Sequence, residues 1–518
     1  MPKSLDFKSR IVIVTVMAAA IIEILDATVV NVALPYIMGS LGSTITEVGW
    51  VISAYAISNI VMVALSPWMS AKLGRKRFYT FSILIFTVSS LFCGISDTTG
   101  KLVLFRFLQG LGGGALLATS QAILVETLPK EKIGLANALF GGGLMVGRTL
   151  APLVGGYFTE YISWHWVFFI NLPIGFAACI LSYIFISEPK DVRKVDSFDW
   201  WGFLLLIAGV SSLQIVLQNG QEAAWFTSDY IYVLTIVAFL SLTLFIMRLL
   251  TAEKPLIDIK VFKDISFTSG TIILFIVSIG MSLSFLVLPL FVINILDYSP
   301  FQIGLIALPG GITSLVLLPI LGKLPQKKIH LIIYLSAGNI CVYIFGYMLS
   351  HINLYAGPFD FLIPVIIRGL GFSLIIISLN TIALIHIRGK LIPEGTAALH
   401  LLRKIGNALG VAFATEFILV RTDFHFNWVK GYVNPVNRVT NDYRADLLAA
   451  FDSFSADMDF LNKTIDIKLY DDVLLQSTLL TYLDCFMMVG YFFLLCIPLA
   501  FIALIKPKNP ETVEISNS

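Results

Sequence analysis

Charge is scarce in this sequence. Asp, Glu, Lys and Arg together make up 13% of the 518 residues, about half the fraction usual in soluble domains, which excludes a water-soluble globular fold. The net charge is +2, so no excess of one sign speaks for a nucleic-acid partner. Cysteine is sparse too. Cys93, Cys179, Cys341, Cys485 and Cys496 all sit inside apolar runs, with no two at a metal or redox spacing, and they read as small core residues; no metal site is expected. Also missing are a Walker-type phosphate loop, a metal-spaced His and Cys cluster, and a nucleophile with a base beside it. The glycine-rich runs precede no strand and open no dinucleotide fold. An enzyme is therefore not expected, nor a cofactor, and any work must be drawn from an ion gradient.

What is abundant is apolar sequence, 57% of the chain, enough for up to about 14 spans of about 20 residues each. Runs of about 18 residues or more fall near 11–34, 48–70, 78–95, 102–125, 134–159, 166–187, 200–218, 229–250, 267–293, 302–322, 330–349, 360–386, 396–420 and 477–505. The expected fold is an all-α polytopic membrane protein with fourteen transmembrane helices in a lipid bilayer. The first run is too long for a cleavable signal, holds Glu23 and Asp26, and reads as a permanent span.

Basic residues are retained on the cytoplasmic side of short loops. One alternating set of segments holds Lys3, Lys8 and Arg10; Lys72, Arg75, Lys76 and Arg77; Lys130 and Lys132; Lys190, Arg193 and Lys194; Lys254, Lys260 and Lys263; Lys323, Lys327 and Lys328; Arg388 and Lys390; and Lys506 and Lys508. The opposite short loops hold almost none, Lys101 being the exception. Both termini are thus expected in the cytoplasm. The long outer segment 422–476 is exempt, because long loops cross regardless of charge.

The chain also repeats weakly on itself. Gly49 and Gly304, Lys72 and Lys327, Arg148 and Arg403, and Gly155 and Gly410 all stand 255 residues apart, and Gln109-Gly110-Leu111-Gly112 overlies Arg368-Gly369-Leu370-Gly371 at 259. The repeat predicts two parallel six-helix bundles, 1–187 and 264–518, with two helices inserted over 188–263. Parallel halves put a substrate site at their interface near the bilayer midplane.

An ionisable group inside a span costs several kcal/mol unless it pairs or meets water. Glu23 and Asp26 lie three apart, on one face of the first helix. Two nearby carboxylates resist double ionisation, which suits reversible proton binding; the alternatives are that Glu23 snorkels and that Asp26 accepts a structural hydrogen bond. Arg106, with Gln109 on its face, is either a fixed positive partner for a carboxylate or an interfacial anchor. Arg148, in the middle of the glycine-rich fifth span with Arg403 as its repeat partner, either neutralises a carboxylate such as Asp26 or receives an anionic group of a substrate. Trp50, Tyr55 and Asn59 lie along the second span, where they either line a cavity or pack. Gly147, Pro152, Gly155 and Gly156 make a bendable, closely packed helix, and Lys72, Gly74, Arg75 and Lys76 form a basic turn between spans two and three.

Several of these stretches resemble a known family. Leu25-Asp26-Ala27-Thr28-Val29-Val30-Asn31-Val32-Ala33-Leu34-Pro35, Arg106-Phe107-Leu108-Gln109-Gly110, Trp166-Val167-Phe168-Phe169-Ile170-Asn171-Leu172-Pro173-Ile174-Gly175 and Tyr482-Leu483-Asp484 look like motifs of the major facilitator superfamily. Within it they are similar to the fourteen-span drug:proton antiporters of the EmrB and QacA type. Arg421-Thr422-Asp423-Phe424-His425 and the long segment after it place the resemblance on the EmrB side. It implies that Asp26 is the proton-linked carboxylate, with Glu23 beside it and Arg106 as its positive partner. It implies equally that Gly147, Pro152, Gly155 and Gly156 are the antiporter hinge, and Lys72, Gly74, Arg75 and Lys76 the gating segment.

The chain departs from the family pattern twice. Pro67 and Ala71 replace a Gly and an Asp of the gating motif, so the charge latch of that Asp is not expected here. Arg148 and Ala151 replace Pro and Gly of the hinge, a change that points toward anions or amphiphilic acids. The function implied is proton-coupled export of amphiphilic compounds across a bacterial inner membrane. The alternatives are a dedicated exporter of an anionic metabolite such as a siderophore or fatty acid, and a non-transporting receptor or scaffold. Residues 445–461 carry Leu447, Leu448, Phe451, Phe454 and Met458 at helical spacing. By resemblance this outer helix meets a periplasmic membrane-fusion adaptor feeding an outer-membrane channel; otherwise it caps the protein's own cavity or lies on lipid.

Overall fold

A computed structural model describes residues 6–129, 133–188, 198–220, 223, 225–253, 255–324, 328–387, 391–434, 436–451 and 458–502. Of the basic residues that set the expected sidedness, Lys3, Lys130, Lys132, Lys190, Arg193, Lys194, Lys254, Lys327, Arg388, Lys390, Lys506 and Lys508 lie outside these, as does Phe454. The first bundle comprises α1 (Phe7–Leu41), α2 (Ile45–Leu73), α3 (Arg75–Gly94), α4 (Thr99–Thr127), α5 (Ile133–Tyr161), α6 (Trp166–Phe169) and α7 (Asn171–Phe185). The inserted pair is α8 (Trp200–Asn219) and α9 (Asp229–Thr251). The second bundle comprises α10 (Ile265–Asn294), α11 (Pro300–Leu321), α12 (Lys328–Leu349), α13 (Leu362–Leu384), α14 (Ile392–Tyr432), α15 (Arg438–Phe451), α16 (Met458–Leu495) and α17 (Ile497–Ile502). Among the described residues 14 helices are long and apolar enough to cross a membrane, and no strand is present. This is the two-bundle, fourteen-span architecture expected from the sequence.

The two halves share local chemistry. Thr44 and Glu47 close a capping box on α2, and Ser299 and Gln302, 255 residues on, close the same box on α11. The offset then changes. Four extra residues in the connection before Pro358 move the shift to 259 for the helices that follow, so α14 starts at Ile392 where α5 starts at Ile133. Arg148 therefore overlies Asn407, not Arg403, and Gly147 overlies Gly406.

Three spans are shaped differently from the expectation. The sixth is broken at Ile170: Pro173 has no N–H to donate backward, so α7 restarts at Asn171 with Pro173 in its first turn. The outer segment 422–476 is mostly helix. α14 runs unbroken for 41 residues and α16 for 38, about 60 Å each at 1.5 Å per residue, twice the hydrocarbon thickness of about 30 Å. Nothing in the stretch after Arg421 stops a helix before Gly431 and Pro435. The stretch expected as one outer helix over 445–461 falls on the end of α15 and the start of α16, with 452–457 outside the described residues; α15 folds back on α16 through Tyr443 to Asp472 (2.6 Å) and Arg444 to Asp466 (3.0 Å). Leu447 and Leu448 are half-buried.

The halves meet where α5 packs along α11, and α2 and α4 pack against α14. Toward the end of the bundle that holds Gly74, buried polar side chains link them: Nε2 of His400 (α14) to Oε1 of Gln121 (α4), 2.7 Å; Gln121 Nε2 to Oδ1 of Asn137 (α5), 3.2 Å; and Asn137 Nδ2 to Thr381 Oγ1 (α13), 3.4 Å. These bonds join α14 and α13 of the second half to α4 and α5 of the first.

Candidate functional site

Asp26 and Arg106 form a fully buried ion pair. Asp26 is 0% and Arg106 1% exposed, and Arg106 Nη1 donates to Asp26 Oδ2 at 2.6 Å. Gln109, one turn along α4, donates Nε2 to Asp26 Oδ1 at 2.9 Å and accepts from Arg106 Nη1 at 2.7 Å. Asn171, set at the break between α6 and α7, donates to the same Oδ1 at 2.8 Å. The guanidinium also stacks over the Tyr55 ring, 4.0 Å from its centroid, and donates Nε to the Val51 carbonyl at 3.4 Å. Charge, hydrogen-bond donors and aromatic faces thus compensate one buried carboxylate from α2, α4 and α7. Arg106 is not an interfacial anchor.

Glu23 belongs to a different network. Its Oε1 accepts from Asn59 Nδ2 at 2.9 Å and Tyr55 Oη at 3.4 Å, and Lys404 Nζ of α14 lies 3.5 Å away. Its Oε2 has no hydrogen-bond partner. Glu23 and Asp26 are a turn apart on α1, but each faces its own cation. Glu23 does not snorkel; it ties α1 of the first half to α14 of the second.

Just beyond Glu23, between the halves, lies a cavity whose polar wall is Arg148, Asn380, Arg403 and Asn407, facing Ile24, Met145, Leu274, Met281 and Ile376. Arg148 does not touch Asp26. With the Asn407 amide turned so that both its ends are satisfied, Arg148 Nη2 donates to Asn407 Oδ1 at 3.3 Å, and Asn407 donates to the Ser278 carbonyl at 3.1 Å. Residues equivalent in the two repeats thus bond to each other across the seam. Arg403 Nη2 donates to His400 Nδ1 at 2.6 Å. That acceptor role leaves the His400 proton on Nε2, which donates to Gln121. Of the aromatic and amide residues proposed to line a cavity, Tyr55 and Asn59 serve Glu23 and Gln109 serves Asp26. Trp50 is 38% exposed near the start of α2, a site typical of interfacial indoles, and lines nothing central.

The basic turn keeps its carboxylates without the Asp of the family pattern. Gly74 has φ +85°, a conformation open to glycine, and packs against the Glu188 carboxylate. Arg75 pairs with Glu126 of α4. Lys72 and Lys76 lie over the rings of Trp68 (4.6 Å) and Tyr183 (4.9 Å). In α5, Gly147 and Gly155 face α1 at Ile24 and Val29, and Gly156 meets the backbone of Phe301 in α11. Pro152 sits inside the helix between them.

A family model described as Major Facilitator Superfamily matches residues 16–411. The chain belongs to this superfamily. It is a transporter, not an enzyme, and a multi-pass membrane protein. It is 29% identical to Multidrug export protein EmrB of Haemophilus influenzae over 82% of this chain and 83% of that protein. It is 30% identical to Fatty acid resistance protein FarB of Neisseria gonorrhoeae over 86% and 88%. Among solved structures it resembles the human organic anion transporter MFSD10, with a TM-score of 0.59, 12% identity, and coverage of 95% of this chain and 99% of that one, a likeness of fold.

For a superfamily transporter the most informative residues missed by sequence reasoning are Lys404, His400, Asn380 and Asn407, together with Asn171. A signal was present for Lys404: Arg403-Lys404 places two cations inside one apolar run. Asn171 stood in a quoted motif beside Pro173, where a helix break frees an amide to point inward. The outer motif residues Arg421, His425 and Asp484 meet as well. His425 Nε2 lies 2.8 Å from Asp484 Oδ2 and Arg421 donates to the same oxygen, which joins α14 to α16.

Proposed function

We propose that this transporter is a proton-coupled exporter of amphiphilic compounds across the inner membrane of a bacterial cell, with both termini in the cytoplasm. The observation that carries the proposal is the Asp26–Arg106 pair, sealed from solvent yet built on side chains from four helices. A proton on Asp26 cancels the charge that Arg106, Gln109 and Asn171 hold, loosening α1 from α4 and α7. Since α1 also reaches the second half through Glu23 and Lys404 and packs on Gly147 and Gly155, a change in its seating is felt at the seam. A proton that binds the two orientations of the transporter with different affinity shifts the equilibrium between them, and the His400–Gln121–Asn137–Thr381 chain is what must part when the cytoplasmic end opens.

The EmrB-type relatives support multidrug export. The outer extensions of α14 and α16 with α15 supply a surface for a periplasmic adaptor leading to an outer-membrane channel. The test is transport of a panel of dyes and amphiphiles, cationic and acidic, in everted vesicles energised by a pH gradient. Export by the parent, lost when nigericin collapses the gradient and lost in Asp26→Asn, supports the reading. Transport indifferent to the gradient would overturn proton coupling, and no transport of any dye or amphiphile would favour a receptor or scaffold.

A further inference from the structure

The cavity between the halves has two cations in its wall, Arg148 and Arg403, that no carboxylate contacts directly. Among the described residues no carboxylate lies within 4 Å of Arg148, Arg368 or Arg403. Arg148 and Arg368 instead flank the Phe285 ring at 5.1 and 5.2 Å, and Arg403 leans on neutral His400. Lys404 has Glu23, the one carboxylate that faces this group; Asp26 is held by Arg106 in the other network. Inside a membrane such charges are costly unless paired. A second observation points to what pairs them. Asn380 lines the cavity at 0% exposure, and neither its Nδ2 nor its Oδ1 has a partner, although buried amides are nearly always hydrogen-bonded. Beside this polar wall stand Leu274, Met281 and Ile376, apolar surface for a hydrocarbon chain, with Met281 able to adapt its shape.

We infer that the cavity is an anion site: its room, about 20 Å³ in this structure, takes a carboxylate headgroup between Arg148, Arg403 and Asn380, and the chain of a single-chain amphiphile runs along Met281 and Ile376 once the halves part around it. The inference rests on the export reading of the same cavity and names its substrate class. Arg presents two parallel N–H donors to a carboxylate, and the Asn380 amide supplies a third. A lipophilic cation finds no charge partner there except Glu23, which Lys404 already holds.

The test compares two chain-matched probes, radiolabelled dodecanoate and dodecyltrimethylammonium, binding to the full chain in phosphatidylcholine nanodiscs. The expected result is that dodecanoate binds more tightly and that Arg148→Gln and Arg403→Gln each weaken it about tenfold or more, the loss of one charge-assisted hydrogen bond. Dodecyltrimethylammonium binding stays the same or tightens, and Arg403→Lys restores part of the dodecanoate affinity. Should either arginine variant fold poorly, Asn380→Asp gives the independent check: a nearly isosteric carboxylate in the wall is expected to weaken dodecanoate about tenfold and to favour the cation. Equal loss of both probes in the arginine variants, or tighter binding of the cation by the parent, overturns the inference. Repeating the measurement with phosphatidylglycerol in the nanodisc separates two sources of the same chemistry: unchanged binding supports a free amphiphile, and competitive displacement assigns the site to a bilayer lipid and overturns the exported-substrate assignment. Proteoliposomes under a pH gradient tell the two readings apart. Dodecanoate bound but never moved removes export and leaves the site; proton-coupled movement of the cation alone removes the site and leaves export.

Discussion

The two six-helix halves share a repeat and differ in charge. In the first, Glu23 and Asp26 sit on α1, and the arginine at the matching level of α4 is closed onto Asp26 by two amides and an aromatic face. In the second, Arg368 occupies the repeat-related stretch of α13 and donates only to the Ser284 carbonyl, at 3.3 Å, while Arg403 and Lys404 stand on α14 facing the seam. The first half thus carries a self-neutralised pair, Asp26 with Arg106, and contributes one cation, Arg148, to the seam. The other carries Arg368 and Arg403 with no carboxylate within 4 Å among the described residues, and Lys404, which reaches across to Glu23. Burying a matched pair and burying lone cations have opposite energetic consequences on mutation, so the contrast can be broken one residue at a time.

The largest effect is expected at Asp26. Asp26→Asn keeps the shape and the hydrogen bonds from Gln109 and Asn171 but removes the titrating group, so pH-driven flux in proteoliposomes should fall to the level of protein-free vesicles. Next is Arg106→Gln, which strands a buried carboxylate; thermal unfolding in detergent should show a loss of roughly 3–5 kcal/mol, much of it recovered in the double variant with Asp26→Asn. The same substitution logic should fail in the second half. Arg368→Met removes a cation that has no carboxylate, and the unfolding midpoint should stay put or rise. The smallest effect belongs to Asp264, the N-cap of α10, which accepts from the Phe267 N–H at 2.7 Å and lies 3.1 Å from His386 Nδ1. Asp264→Asn should cost about 1 kcal/mol or less. Burial pushes the Asp264 carboxyl up, but the His386 hydrogen bond and the backbone N–H groups outweigh it and hold it below the usual value. Its contribution is therefore complete above the ordinary carboxylate pKa and is lost as pH falls through the depressed one, which thermal melts across pH 2–5 on parent and Asp264→Asn would register.

The helices were legible because hydrophobic length decides them: all fourteen runs are spans. Helix ends were less so, since a polar helix such as the outer part of α14 continues until a breaker, Gly431 and then Pro435, and not until the membrane surface. The Asp26–Arg106 pair could be anticipated from two ionisable residues in separate spans, each needing compensation. The separation of Glu23 from Asp26 could not, because three residues of helix rotate them only about 60° apart, and which neighbour each meets depends on how α2, α4 and α14 approach. Arg148 and Arg403 looked like repeat equivalents, but four extra residues before Pro358 shift the register and put Asn407 opposite Arg148. Lys404 and Asn380 gain their meaning only once the halves close on each other.

The most direct test of the central claim, that protonation of Asp26 couples to movement of cargo, is proton flux recorded in proteoliposomes on adding dodecanoate or dodecyltrimethylammonium to the parent and to Asp26→Asn. The account predicts a proton signal from the parent with at least one of the two, and none from Asp26→Asn although it still binds the same probe. A signal of equal size from Asp26→Asn would contradict it.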